Sequence, residues 1–335
     1  MTENDVIVVR NLTKKFGDLV AVNNISFNVK REEIFGFLGP NGAGKTTTIN
    51  MLTTLIKPTS GEAYVEGYDV VKESNFVRQV IGLVPQEITV DDDLTGWENI
   101  MLQATLYHIP KDEARRRAKE VLELVGLLND ADRMVETYSG GMRKRLEIAC
   151  GLIHRPKILF LDEPTLGLDV QTRVAIWDYI KSLRREYNMT IFLTTHYMEE
   201  ADALCDRIAI IDRGVIKAID SPDNLKRRLG GDIIELEFAN NIQLANSIIS
   251  HLDFVIDHKI LENKLRVKVT DGDKQLPIIL ERLIRSNVRV AKIVLKRPTL
   301  DDVFIELTGR EFREEEDGRE EIFKRRAILR RVRKV

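Results

Sequence analysis

The sequence predicts an α/β fold with a buried, largely parallel sheet, followed by a smaller α+β unit. Short apolar runs of strand length recur through the first two thirds of the 335-residue chain and end at polar residues. A glycine-rich loop joins one of these runs to a helical pattern. In the last third, strand and helix patterns follow the order β-α-β-β-α-β, which is typical of a ferredoxin-like split βαβ unit.

Length and charge limit the classes of function. A chain of this length predicts two domains. The net charge of −2 argues against a nucleic-acid partner. The longest apolar runs are shorter than the roughly 20 residues of a membrane-spanning helix, and residues 1–5 do not resemble a signal peptide. We therefore predict a cytosolic protein without a transmembrane segment, able to dock on a membrane protein. Cys150 and Cys205 are predicted to be buried, reduced thiols.

The glycine-rich loop is the strongest single motif. It fits the phosphate-binding pattern G-x-x-x-x-G-K-[ST], with a predicted strand at residues 33–38 before it and a predicted helix at residues 47–55 after it. Backbone N–H groups and the positive end of the helix are expected to face a polyphosphate. Lys45 would bridge the β- and γ-phosphates, and Thr46 would hold Mg²⁺. The residues predicted to cradle the phosphates are Gly39, Pro40, Asn41, Gly42, Ala43, Gly44, Lys45, Thr46 and Thr47. The loop alone fits kinases, GTPases and many ATPases equally.

Three further apolar runs deliver polar side chains at their carboxyl ends. One run ends at Gln86, one at Asp162 and Glu163, and one at His196. Ligand-contacting residues of an open parallel sheet lie at the carboxyl ends of its strands, so we expect these side chains to converge. Asp162 is predicted to hold the Mg²⁺ shell, and Glu163 to act as general base.

Two other segments carry weaker signals. Phe16 lies in a polar turn between the first two predicted strands, where it would either stack on a purine or pack under its own hairpin. Residues 95–128 follow a helical pattern. Beyond them, Ser139 is predicted to cap a helix whose first turn contains Gly140 and Gly141, with N–H groups that can hold a second anion.

Taken in order, these motifs resemble the nucleotide-binding subunit of an ATP-binding cassette (ABC) transporter. The resemblance covers residues 5 to about 230 and implies a P-loop NTPase fold with a RecA-like core, an antiparallel β-subdomain and a helical subdomain at about residues 89–150. The predicted domains are the ABC ATPase at 1–229, a C-terminal α+β domain for regulation or dimerisation at 230–310, and a charged tail at 311–335.

The resemblance also implies a role for each motif. Phe16 matches the adenine-stacking aromatic residue, although Tyr is commoner there. Gln86 matches the glutamine that senses Mg²⁺ and the γ-phosphate, and residues 139–141 match the signature motif that acts in trans on ATP held by a facing subunit. Asp169 matches the loop that crosses the dimer interface, and His196 the switch that contacts the γ-phosphate. The implied catalytic residues are Glu163, His196 and Gln86, and the implied Mg²⁺ ligands are Thr46, Gln86 and Asp162.

A narrower resemblance points to the drug-resistance branch of ABC exporters. It rests on residues 143–149, 194–202 and 298–309. Members of that branch pair with a separate membrane protein. The expected function is an ATP-binding and hydrolysing subunit of a multicomponent exporter, acting as a homodimer around two ATP beneath a transmembrane permease, on the cytoplasmic side of the membrane. An importer subunit and a soluble ABC ATPase of DNA repair or translation are the alternatives.

The last residues are strongly charged. Residues 311–321 are dominated by acids and residues 324–334 by bases. A solvated tail whose halves attract each other is one interpretation. Contact with anionic lipid headgroups is the other. The basic residues concerned are Lys324, Arg325, Arg326, Arg330, Arg331, Arg333 and Lys334.

Overall fold

The computed structural model describes residues 4–238, 241–261 and 264–309, so the charged tail predicted at 311–335 lies outside the described residues. The strands are β1 (Asp5–Phe16), β2 (Leu19–Lys30), β3 (Ile34–Leu38), β4 (Ser60–Val65), β5 (Tyr68–Asp69), β6 (Ile81–Val84), β7 (Ile158–Asp162), β8 (Thr190–Thr195), β9 (Arg207–Asp212), β10 (Val215–Asp220), β11 (Asp232–Phe238), β12 (Val255–Leu261), β13 (Lys264–Val269) and β14 (Val290–Lys296). The helices are α1 (Lys45–Leu52), α2 (Ser74–Val80), α3 (Gly96–Leu106), α4 (Lys111–Leu124), α5 (Gly140–Leu152), α6 (Val170–Tyr187), α7 (Met198–Leu204), α8 (Pro222–Arg228), α9 (Ile242–Ile249), α10 (Gly272–Arg285) and α11 (Leu300–Thr308).

A six-stranded sheet forms the centre of the first two thirds of the chain. Its order is β10-β9-β3-β8-β7-β6. All neighbouring pairs from β9 to β6 are parallel, and β10 is an antiparallel edge strand. Leu38 is paired with Thr195, and Asp162 with Thr194. The carboxyl ends of β3, β7 and β8 therefore meet at one edge of the sheet, as the sequence predicts.

This sheet is buried on both faces, which explains its continuous apolar strands. In β3, Ile34 and Leu38 belong to the apolar cluster on the side of the helices. Phe35 and Phe37 belong to the opposite cluster, beneath the first antiparallel sheet. There, the rings of Phe35 and Phe37 lie within 5.8 Å of the ring of Phe192. Alternate side chains of this short strand therefore pack into two different apolar cores, one on each face of the sheet.

The first antiparallel sheet has the order β2-β1-β4-β5 and matches the predicted β-subdomain. Its first hairpin is longer than predicted. Phe16 pairs with Leu19 across the ladder, so the prediction of a turn at Phe16 is wrong, and Lys14 before it pairs with Val22. The reversal is confined to the two residues after Phe16, where Gly17 has a φ of 57° that suits glycine in a tight turn.

Helices α3, α4 and α5 form the predicted helical unit. Thr95 caps α3 in a capping box with Glu98. Ser139 caps α5, and its hydroxyl accepts from the Met142 N–H at 3.3 Å. The cap follows the sequence prediction and places Ser139 at the positive end of a helix of 13 residues.

The last sheet has the order β12-β13-β11-β14, with all neighbouring strands antiparallel. With α9 and α10 it forms the predicted β-α-β-β-α-β unit. The core of this unit includes Leu236, Ile249 and Leu283. No helix within the described ranges of the chain combines the length and apolar character needed to cross a membrane.

Helix α11 returns to the first two thirds of the chain. It contacts α7, α8 and β10. Leu300, Val303 and Phe304 are buried in the same apolar cluster as the helices that flank the six-stranded sheet. The predicted C-terminal domain at 230–310 therefore includes a helix whose apolar face completes the core of its neighbour.

We expect Phe304→Ala to lower the free energy of unfolding by roughly 3–5 kcal/mol, because a ring that is 1% exposed would leave a cavity under α11. Ile305→Ala is the matched control, since Ile305 is 40% exposed on the same helix and should cost less than about 1 kcal/mol. Urea denaturation followed by circular dichroism measures both values. Equal losses in the two variants would contradict this packing of α11.

Candidate nucleotide-binding site

The loop between β3 and α1 is shaped by close backbone contacts. Gly44 has a φ of 105°, in the region that favours glycine. A Cβ on Gly39 would lie 2.3 Å from the carbonyl oxygen of Ile211, which is closer than atoms can approach. Helix α1 begins at Lys45, directly after the loop. The local sequence thus places free N–H groups and the positive end of a helix together, as an anion cradle requires.

Lys45 lies beneath this loop and is only 4% exposed. Its Nζ donates to the carbonyl oxygens of Gly39 and Pro40, at 2.7 and 3.1 Å. The same Nζ lies 3.1 Å from Glu163 Oε1. Three acceptors therefore compensate the burial of its charge.

Glu163 lies between two nitrogen groups at the end of β7. Its Oε1 contacts Lys45, and its Oε2 lies 3.1 Å from His196 Nδ1. Its backbone N–H donates to the carbonyl and the hydroxyl of Thr194, at 3.1 and 3.0 Å, and its φ is 48°. Burial opposes ionisation, but the His196 hydrogen bond and the Lys45 charge outweigh it and lower the pKa of this carboxyl.

Asp162, one residue earlier, has the opposite electrostatic balance. Its Oδ1 accepts hydrogen bonds from the hydroxyls of Thr194, at 2.5 Å, and Thr46, at 3.2 Å. Burial raises the pKa of the Asp162 carboxyl despite these bonds, and the nearby Glu163 charge adds to the rise. A carboxylate beside a threonine hydroxyl is a hard oxygen donor set that fits Mg²⁺.

Two other predicted residues lie apart from this cluster of contacts. Gln86 is exposed two residues beyond β6, the neighbour of β7, and so lies at the same edge of the sheet. Phe16 is 49% exposed, which leaves surface of its ring open to stacking. The Lys14 ammonium group lies 5.0 Å from the centre of that ring.

Ser139 and Gly140 are exposed, and a Cβ on Gly140 would lie 3.5 Å from the side chain of Leu168, the residue before Asp169. A Cβ on Gly141 would lie 2.4 Å from the Thr172 side chain, so these two segments are in close contact. Thr172 in turn donates to the Asp169 carboxylate, from its N–H at 2.9 Å and its hydroxyl at 2.6 Å. The exposed residues Ser139, Gly140 and Asp169 thus lie on two segments that pack against each other.

A set of hydrogen-bonded residues around Glu200, near His196 in the chain, is not apparent from the sequence. Glu200 is fully buried, and its Oε1 accepts from the Thr165 hydroxyl at 2.7 Å and from Trp177 Nε1 at 2.9 Å. Burial raises the pKa of this carboxyl. The contacts join the segment after Glu163 to α6 and α7. Two acids, Glu199 and Glu200, stand next to each other in the first turn of α7, and the sequence does not show which one is buried. In the structure Glu199 faces outwards and Glu200 faces the core.

Comparison with known proteins identifies the family. Residues 22–166 match the family model described as ABC transporter, and residues 221–308 match the C-terminal domain of DrrA1-3-like ATP-binding proteins. The chain is 41% identical over 317 residues to the doxorubicin resistance ATP-binding protein DrrA of Mycobacterium tuberculosis, covering 92% of this chain and 95% of that protein. It belongs to the ATP-binding subunits of ABC transporters. This assignment, in the drug-resistance exporter branch, confirms the resemblance found in the sequence.

Other relatives of this ABC subunit agree. The linearmycin resistance ATP-binding protein LnrL of Bacillus subtilis is 40% identical, over 92% of this chain and all of that protein. The Nod factor export ATP-binding protein I of Burkholderia lata is 38% identical, over 91% of this chain and 97% of that protein. The ABC subunit is thus an ATPase of a transporter family.

Solved structures confirm the predicted fold class. The cbiO1 subunit of Clostridium perfringens, part of an ABC transporter complex, superposes with a TM-score of 0.63 at 25% identity over 75% of this chain and 96% of that one. A dimeric ATP-binding cassette bound to ADP and phosphate gives a TM-score of 0.58 at 30% identity, over 64% of this chain and 98% of that one.

We expect Asp162→Asn to stabilise the nucleotide-free chain at pH 8, on the order of 1 kcal/mol, because active-site charges are often held at a cost in stability. An amide oxygen can still accept from Thr46 and Thr194, and the buried charge is removed. A raised carboxyl pKa contributes stability below the unfolded pKa of about 3.9, and this contribution is lost as the pH rises through the folded value. The gain should therefore shrink towards pH 4.

Urea denaturation across this pH range, without nucleotide or Mg²⁺, measures the effect. Asp18→Asn, at the exposed tip of the first hairpin, is the control and should leave the unfolding free energy unchanged. An Asp162→Asn chain less stable than the wild type at pH 8 would disprove this account of the carboxyl.

Proposed function

We propose that this ABC subunit binds and hydrolyses ATP as a symmetric dimer of two copies, and that ATP-driven closure of the dimer powers export through a separate membrane permease. The observation that carries the proposal is the series of contacts Lys45–Glu163–His196 at the carboxyl ends of β3, β7 and β8. It combines a cation beneath a phosphate loop with a buried carboxylate that is poised to accept a proton.

Lys45 and Glu163 are proposed to exchange partners when ATP binds. The Lys45 ammonium group moves from the Glu163 carboxylate to the oxygens of the β- and γ-phosphates. The phosphate oxygens then take the place of the carboxylate as its negatively charged partner. Glu163 is then free to orient a water towards the γ-phosphate and to accept its proton. The lowered pKa of Glu163 keeps it ionised at neutral pH, and this is the form that a general base needs. His196 holds the Glu163 carboxylate in place and provides a ring nitrogen for the γ-phosphate.

Thr46, Asp162 and Gln86 are proposed to hold Mg²⁺ with the nucleotide. The ion would neutralise charge that develops on the β- and γ-phosphates. Thr46 supplies a hydroxyl, Asp162 a carboxylate that its two threonine partners orient, and Gln86 an amide oxygen from the exposed segment after β6. Phe16 is proposed to stack on the adenine through its exposed ring surface.

Each site is proposed to be completed by the other copy. Ser139, Gly140 and Asp169 are exposed and adjacent, and Ser139 lies at a helix N-terminus, where an anion is favoured. In a two-fold dimer this surface would meet the phosphate loop of the partner, and each copy would contribute to both sites. Binding of ATP then stabilises the closed dimer, and hydrolysis releases it.

Export rather than import is favoured by the relatives that match nearly the whole chain, whose names describe drug resistance and Nod factor export. The permease is proposed to lie in the cell membrane, with this subunit on its cytoplasmic side. Contact of the basic residues at 324–334 with anionic lipid is part of the proposal, and these residues lie outside the described ones.

Glu163→Gln tests the catalytic assignment. The amide keeps the size of the side chain but cannot act as a base, so we expect ATP hydrolysis to fall by about 10²–10⁴-fold while ATP binding persists. With ATP, the variant should accumulate as a dimer in light scattering after size exclusion. Glu186→Gln, an exposed acid on α6, is the control and should behave as the wild type. A Glu163→Gln chain that hydrolyses ATP at the normal rate would refute the role of Glu163.

Mixing two inactive variants tests whether Ser139 acts in trans. Lys45→Ala removes a phosphate contact, and Ser139→Arg blocks the signature surface. A mixed dimer of the two retains one site with an intact loop from one chain and an intact signature from the other. Random pairing makes half of the dimers mixed, each with one intact site of two, so phosphate release should recover to at most about a quarter of the wild-type rate.

A matched mixture controls for simple stabilisation by a second chain. Lys45→Ala with Glu163→Gln damages the same half of the site in both chains, so no mixed dimer contains an intact site, and activity should not return. Failure of the Lys45→Ala and Ser139→Arg mixture to recover any activity above this control would contradict action in trans.

A further inference from the structure

Two buried side chains of α5 hold both ends of the short segment that carries Gln86. Lys144 Nζ donates to the carbonyl oxygen of Pro85 at 2.9 Å. Glu147 Oε1 accepts from the backbone N–H of Thr89 at 2.5 Å and from its hydroxyl at 3.2 Å. The two side chains pair with each other, since Lys144 Nζ lies 3.0 Å from Glu147 Oε2. We call this pair with its two anchor points the clasp.

The clasp is a buried ion pair with both charges compensated. Lys144 is 5% exposed and Glu147 is 3% exposed. Burying two charges costs desolvation that their attraction seldom exceeds, so a buried pair is weak evidence for stability and calls for another explanation. The residues between the anchors, Gln86, Glu87 and Ile88, are exposed. The clasp thus fixes the ends of a segment whose middle faces outwards.

The same helix carries the signature at its N-terminus. Ser139 caps α5, and Lys144 and Glu147 lie on its second and third turns. At 1.5 Å per residue, Ser139 and Glu147 are about 12 Å apart along one continuous helix. Displacement of the Gln86 segment must therefore either break the clasp or carry α5, and Ser139 with it.

We infer that Lys144 and Glu147 are positioning residues that couple the two ATP sites of the dimer. This inference rests on the proposed function, in which Gln86 contacts the ATP of its own chain and Ser139 the ATP of the partner. ATP at the first site holds Gln86, the clasp carries that position to α5, and Ser139 is placed for the second ATP. Coupling here means that ATP at one site changes the free energy of ATP binding at the other. It requires a structural element that contacts both sites and has two arrangements, and α5 with its clasp is such an element.

A neutral double variant separates this role from a contribution to folding. In Lys144→Met with Glu147→Gln, Met fills the space of the lysine stem, and the glutamine oxygen can still accept from Thr89. No unpaired charge is left buried, and the link to Pro85 is lost. We expect the affinity of the isolated chain for its own Mg-ATP to stay within about twofold, because the residues of the phosphate loop are untouched.

Cooperativity is expected to change. The Hill coefficient of ATP hydrolysis by the full chain should fall from about 2 towards about 1, since the upper limit is the number of coupled sites. The coupling constant between the two ATP sites should fall about two- to thirtyfold, the range by which residues along a coupling path alter it. Glu120→Gln is the control: Glu120 pairs with Arg155 at 2.8 Å on the surface of the same helical unit, and both side chains are about half exposed.

Hydrogen exchange gives a second measurement, made on the wild-type chain and on the neutral variant. The Thr89 amide is bonded to Glu147, and the Met142 amide to Ser139. During an ATP titration, protection of both amides should change at the same ATP concentration. In the neutral variant, Thr89 should respond first and Met142 only at a higher concentration.

The outcomes separate this inference from the proposed function. If Glu163→Gln fails to dimerise with ATP and ATP hydrolysis by the wild type is not cooperative, both the proposed function and the coupling role of the clasp are refuted. If Glu163→Gln dimerises, but the neutral variant keeps the wild-type Hill coefficient, the clasp does not couple the sites. Separate midpoints for the Thr89 and Met142 amides in the wild type would overturn the clasp in the same way.

Discussion

The contact between Lys45 and Glu163 is the interaction on which the site depends. Both groups are almost fully buried, and a buried charge without a partner destabilises a fold by several kcal/mol. The requirement that each charge has a partner sets the geometry around them. The phosphate loop must lie directly against the end of β7, and His196 must reach the far oxygen of the carboxylate. The parallel order β3-β8-β7 satisfies both conditions at once.

Asp162 and Glu163 show how neighbouring acids acquire different chemistry. Glu163 lies between a lysine and a histidine, which lower its pKa. Asp162 is bonded to two neutral hydroxyls, and burial raises its pKa. The left-handed backbone at Glu163 turns the two side chains into these separate surroundings. The proposed metal ligand and the proposed general base are thus adjacent residues in different electrostatic surroundings.

Much of this site could be predicted because each motif ends a strand of a parallel sheet. The positions of Lys45, Glu163 and His196 follow from that rule alone. The part played by Thr194 could not be predicted, because it depends on the register that pairs it with Asp162. The clasp was equally hidden, since a lysine and a glutamate three residues apart on a helix usually lie in solvent. Only packing against Pro85 and Thr89 distinguishes this pair from a surface one.

Helix α11 has a consequence for how the chain can be rebuilt. The chain leaves the cassette after α8 and returns at α11, and these two helices touch. The α+β unit between them is therefore inserted through adjacent ends, which is the arrangement in which domains are most readily exchanged. A unit attached in this way can differ in size from one relative to another while the strands and helices of the ATPase core keep their positions.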